Sequence, residues 1–119
     1  MLNNSGVNKV LLVGYIAKQP RRHTINEVQM LCFPLVTQEF IKKNGENIEH
    51  LEWHQIKVPL NCTGIDYGIN KGQMIYLQGK IQTQQFIDEQ NIKRYKTEIV
   101  ASFIQAMAVH EPALMQVAV

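Results

Sequence analysis

Leu51 to Pro59 alternates Trp53, Gln55, Lys57 and Pro59 with His54, Ile56 and Val58. Successive side chains of a strand point to opposite faces. The second set is the more apolar, so it is expected to face a core, with Trp53 and Lys57 turned to water. Met74 to Ile87 repeats the pattern. Ile75, Leu77, Gly79 and Ile81 form its inward set; Met74, Tyr76, Gln78, Lys80, Gln82, Gln84 and Phe86 form the outward one. Aromatics, amides and a lysine on one wet face cost stability unless something covers them. The expected cover is another subunit or a ligand with flat faces.

Catalytic chemistry has no such footing. No glycine-rich phosphate loop, His-Glu-x-x-His or Gly-x-Ser-x-Gly motif occurs. His54 reads as an interface or core histidine. Glu98, a lone carboxylate in an apolar strand, reads as a partner for a nearby Lys or Arg rather than a general base. Cys32 and Cys62 have no metal-ligand spacing. They read as reduced, semi-buried thiols of a cytoplasmic protein. No enzyme, cofactor or metal is expected.

The elements that must position these residues are strands. They are expected at Val10 to Val13, Met30 to Thr37, Leu51 to Val58, Met74 to Ile87 and Arg94 to Val109. Asn44-Gly45, in the polar tip between the second and third, signals a hairpin turn. Pro34 removes a ladder donor and implies a bulge or an edge in the second strand. Asn61 to Asn70, between the third and fourth, has room for a short helix. All-β, five strands with one short helix in that place, is the order of an OB-fold, a partly open Greek-key barrel; other small barrels have similar counts. The chain of 119 residues is sized for one domain. Its apolar runs are too short for a membrane span and no secretory signal is seen. A net charge of +2 names no partner by itself. The basic residues cluster, though, at Lys9, Lys18, Arg21 and Arg22 and again at Lys93, Arg94 and Lys96.

Five blocks in order resemble bacterial single-stranded DNA-binding proteins. They are Gly6-Val7-Asn8-Lys9-Val10-Leu11-Leu12-Val13-Gly14, Phe33-Pro34-Leu35-Val36-Thr37, Glu52-Trp53-His54, the Lys71 to Gly79 segment and Arg94-Tyr95-Lys96-Thr97-Glu98-Ile99-Val100. The resemblance implies an OB-fold over residues 1–108, followed by a short extension over 109–119. It also implies sequence-independent binding of single-stranded DNA in replication, repair or recombination. Bases stack on aromatic rings while a basic groove follows the phosphates. The family's stacking positions read here as Phe40, Trp53, Pro59 and Phe86, and Pro59 supplies no ring. Phosphate and polar contacts are expected from Lys9, Arg21, Lys42, Lys43, Gln55, Lys57, Lys71, Lys80, Gln84 and Arg94.

A homo-oligomer, a tetramer before other states, is expected through Val10, Leu12, His54, Met74 and Tyr76. The first strand is regular and poor in charge, a hazard as a free edge. The family's acidic C-terminal tip has no counterpart in the mostly apolar Ala113 to Val119. Recruitment of replication proteins through such a tip is therefore not expected. The alternative is a primosomal-type OB-fold accessory protein that acts mainly through protein contacts.

Overall fold

The computed structural model describes residues 5–60, 62 and 68–110, with residues 25 and 108–110 described by backbone alone. Six strands occur in it: β1 (Val10–Ile16), β2 (Arg21–Ile25), β3 (Val28–Lys43), β4 (Glu46–Pro59), β5 (Gln73–Ile87) and β6 (Lys93–His110). They form one sheet in the order β1-β5-β6-β4-β3-β2, and a β1–β3 pairing closes it. The closing contacts are Tyr15 with Val36 and Ile16 with Leu35. β4 and β6 run parallel through Ile56–Ile99 and Lys57–Val100.

The expected five strands and the observed six differ at one place. β1 and β2 run along the same edge of β3, Ile16 opposite Leu35 and Arg21 opposite Cys32. They are two halves of one strand, interrupted at residues 17–20. Counted so, this is the closed five-stranded barrel of an OB-fold. The interruption faces Pro34. The Pro34 carbonyl accepts the Ala17 N–H at 3.0 Å, so its missing donor points to the same side. That side is where the ladder breaks, and the β4 side loses nothing. The broken segment is pinned elsewhere: the Lys71 N–H donates to Gln19 Oε1 at 3.1 Å.

The short helix expected between Asn61 and Asn70 is not supported. No helix occurs among the described residues. Residues 61 and 63–67 of that segment lie outside them.

Alternation fills the barrel. Ile16, Phe33, Leu35, Ile56, Val58, Ile75 and Leu77 are buried to 2% exposure or less. β6 departs from strict alternation: Ser102 is an extra residue between the Gln78–Phe103 and Gly79–Ala101 pairs. This bulge lets Ala101 and Ile104, three positions apart, both face the core. Gly14 admits the closing strand, because a Cβ there would strike the Val36 carbonyl.

Two hairpins outrun the barrel. One joins Gln38–Lys43 to Glu46–Leu51, and the other joins Gln82–Ile87 to Lys93–Glu98. Ile81, expected inward, lies at the root of the second hairpin and is 48% exposed, although its partner Ile99 is buried in the core. The first hairpin turns on Asn44 and Gly45, at φ of 53° and 80°, the left-handed pair of a type I′ turn. Gly45→Ala is expected to cost about 1 kcal/mol, since alanine resists positive φ. Chemical denaturation checks it, and an unchanged midpoint contradicts the turn's role.

Candidate nucleic-acid interface

Trp53, Gln55 and Lys57 share one face of β4. The register sets Val36, Pro34 and Cys32 opposite them on β3, and Arg21 opposite Cys32 on β2. On the other flank, the parallel contact with β6 brings in Lys96 and Glu98, with Gln84 opposite Lys96 on β5. These strands enclose an open groove of about 430 Å³. Lys18, Arg21, Trp53, Gln55, Gln84 and Lys96 line it, and Lys57 and Glu98 form its floor.

The rings expected to stack are all open to solvent: Trp53 is 54% exposed, Phe40 61% and Phe86 48%. Phe40 shares Trp53's face of the β3–β4 hairpin, because its partner Glu49 lies an even number of positions before Trp53. The spacing along the strand is about 13 Å. Phe86 stands opposite Arg94 on the β5–β6 hairpin. Pro59, the ringless position, is half-buried at the end of β4.

The expected cations disperse. Arg21 enters the groove. Lys42 shares Phe40's face, and Lys43 takes the reverse face beside Glu46. Lys9 and Lys80 line a second depression beside Pro59, away from Trp53. Lys71 sits in the turn before β5. Arg94 Nε donates to Asp88 Oδ2 at 2.8 Å. This bond, helped by backbone N–H donors from Ile92 and Gln90, holds the Asp88 carboxyl below the usual carboxylate range.

Lys57 is the main correction. It lies on the expected face, but it is buried rather than wet, at 6% exposure. Its Nζ meets Glu98 Oε1 at 2.7 Å. The cause is the β4–β6 contact, which lays Val100 beside Lys57 and covers it. Glu98 is thus the ion-pair partner its isolation suggested, with Lys96 Nζ also 3.5 Å from Oε2. Burial pushes both the Cys32 and the Cys62 thiols up, and Lys57, Glu98 and Lys96 also act on Cys32.

Lys18, His23 and Lys96 also line the groove, though the face argument did not select them. Clustering of charge already marked Lys18 and Lys96; strand pairing was needed to aim them. Tyr95, 65% exposed, stands opposite Gln85 on the face of the hairpin that Phe86 does not use.

The residues expected at an oligomer interface divide. Val10 and Leu12 pack against the barrel core, so the exposed side chains of β1 are Leu11 at 57% and Val13 at 48%. The unbroken apolar run of β1 has no alternation from which its faces could be read. Over Val10–Gly14, β1 pairs with β5 alone among the described residues, which leaves its other edge open. His54 shares a 3.0 Å hydrogen bond with Thr37 Oγ1 and lines a shallow hollow beside that edge. Met74 is withdrawn into a small second cluster with Tyr15 and Val36. Tyr76 meets Phe103 edge to face at 6.1 Å.

The chain is similar in sequence to two bacterial proteins. It is 34% identical over 109 residues to single-stranded DNA-binding protein 1 of Chlorobaculum tepidum, covering 86% of this chain and 65% of that protein. It is 35% identical over 107 residues to the single-stranded DNA-binding protein of Bacteroides thetaiotaomicron, covering 86% of this chain and 66% of that one. The chain therefore spans just under two thirds of each relative's length. Among solved structures, the Plasmodium falciparum SSB in complex with ssDNA superposes with a TM-score of 0.75 at 24% identity, over 89% of this chain and 99% of that one. A deletion mutant of the Thermus aquaticus single-stranded DNA-binding protein gives 0.73 at 22%, over 86% and 51%. These two likenesses establish the fold. Residues 7–107 match the single-strand binding protein family over most of the chain's length, and the chain belongs to that family.

Proposed function

We propose that this chain binds single-stranded DNA without sequence preference and works by binding rather than catalysis. The observation that carries the reading is Trp53: a ring 54% exposed, beside a groove lined by Lys18, Arg21, Lys96 and three glutamines. An unpaired base offers a flat face to such a ring, and the cations hold its phosphates. Phe40 and Phe86 extend the stacking surface onto the two hairpins. The binding unit is residues 1–108, acting in the cytoplasm in replication, repair or recombination. The primosomal-type alternative is not favoured, because the relatives carry the names of DNA-binding proteins.

Trp53 is the only tryptophan, so its fluorescence tests the reading directly. Oligo(dT) is expected to quench it, and duplex DNA much less. Affinity is expected to fall with salt, with a log–log slope of about −0.7 per phosphate neutralised. Absence of quenching at low salt and micromolar protein contradicts the reading.

A homotetramer is part of the proposal. The open edge of β1 is a template for a second copy. The exposed Leu11 and Val13, with the Tyr76–Phe103 pair, give a further apolar face for pairing dimers. Light scattering is expected to return about four times the chain mass of 13.7 kDa. A monomer at micromolar concentration excludes it.

A further inference from the structure

A groove that holds a polyanion has a carboxylate on its floor. Glu98 is 5% exposed. Its Oε1 lies 2.7 Å from Lys57 Nζ, and the two side chains are 6% and 8% exposed. No described donor meets that oxygen in hydrogen-bond geometry, so the contact is a charge pairing and not a directed bond. Oε2 lies 3.5 Å from the ammonium of Lys96, a side chain 55% exposed. That separation exceeds the roughly 2.7–2.9 Å of a strong charge-assisted bond.

Buried ion pairs are often matched in stability by apolar residues of similar volume. The consequence of this pair for a ligand is specific. Lys57 is held beneath the surface, and its charge is cancelled before any phosphate arrives. Lys96 is shared: it can leave Oε2 for a phosphate, but only against the attraction of the carboxylate. The Glu98 charge also repels the phosphate itself.

We infer that Glu98 is a specificity-determining residue that lowers the groove's affinity for phosphate, withholding Lys57 and competing with DNA for Lys96. This leaves stacking to carry a larger share of binding, and it rests on the single-strand reading above. The long stem of Lys57 can carry its ammonium into the groove once the carboxylate is gone.

The test is oligo(dT) binding of the full chain across a salt series, followed by anisotropy of a labelled strand. Glu98→Gln is expected to bind several-fold tighter than the unaltered chain at low salt. Its slope is expected to be steeper by about 0.7 for each phosphate gained. A second variant, Lys57→Met with Glu98→Leu, removes both charges and frees only Lys96. Its slope is expected to steepen by about 0.7, one phosphate's worth. If Glu98→Gln does not fold, the double variant decides. Unaltered affinity and slope in a folded variant, beside an unaltered chain that binds, overturn this inference alone. An unaltered chain that does not bind oligo(dT) overturns the reading beneath it as well.

Discussion

Lys57→Ala is expected to destabilise the chain by about 3–5 kcal/mol, the loss typical when one partner of a buried ion pair is removed. A domain has only about 5–15 kcal/mol in all, so much of the margin goes. Glu98 keeps its burial but loses the cation at 2.7 Å, retaining only Lys96 at 3.5 Å. Its short stem, unlike that of lysine, cannot reach far for water. Urea denaturation measures the effect as a lower midpoint at constant slope. A loss below about 1 kcal/mol would mean that the carboxylate is solvated. The double replacement of Lys57 and Glu98 by Met and Leu is expected to stay near the original stability, because it leaves no charge behind.

Trp53→Ala is expected to weaken oligo(dT) binding by about 1–3 kcal/mol, the range found for one base–aromatic stack in single-strand-binding OB-folds. Stability is expected to move by less than about 1 kcal/mol, as for a surface residue away from special contacts. The two readouts separate the roles of the ring. A stacking platform loses affinity and keeps its fold; a core anchor loses its fold. Exposure of 54% places the indole on the surface side of that division. With the tryptophan gone, the measurement needs a labelled strand. Undiminished affinity in the folded variant removes Trp53 from the site.

Local rules read well wherever the cause was local. Asn44-Gly45 marked its turn because a type I′ turn needs positive φ at both residues, and both have it. Period-two alternation put Ile75 and Leu77 inside and Trp53 outside. It named the face of Lys57 correctly and its burial wrongly. A face is a property of one strand, whereas burial depends on what lies across it. At Val10 to Val13, four apolar residues in a row gave no contrast between faces. There only the barrel packing distinguishes Val10 and Leu12, which face the core, from the exposed Leu11 and Val13.

By itself the sequence determined the all-β character, the hairpin turn, the inward residues Ile56, Val58, Ile75 and Leu77, and the family. Each follows from residue type and spacing along a few positions or from an ordered set of motifs. Only the tertiary structure decided that β1 and β2 are one strand broken opposite Pro34. It alone brought Lys57 and Glu98 together across the parallel β4–β6 contact and gathered Lys18, Arg21 and Lys96 around Trp53. Lys57 and Glu98 stand on strands separated by the whole of β5 in the chain. Alternation fixes where a side chain points relative to its own backbone; closure of the barrel fixes which other backbone it meets.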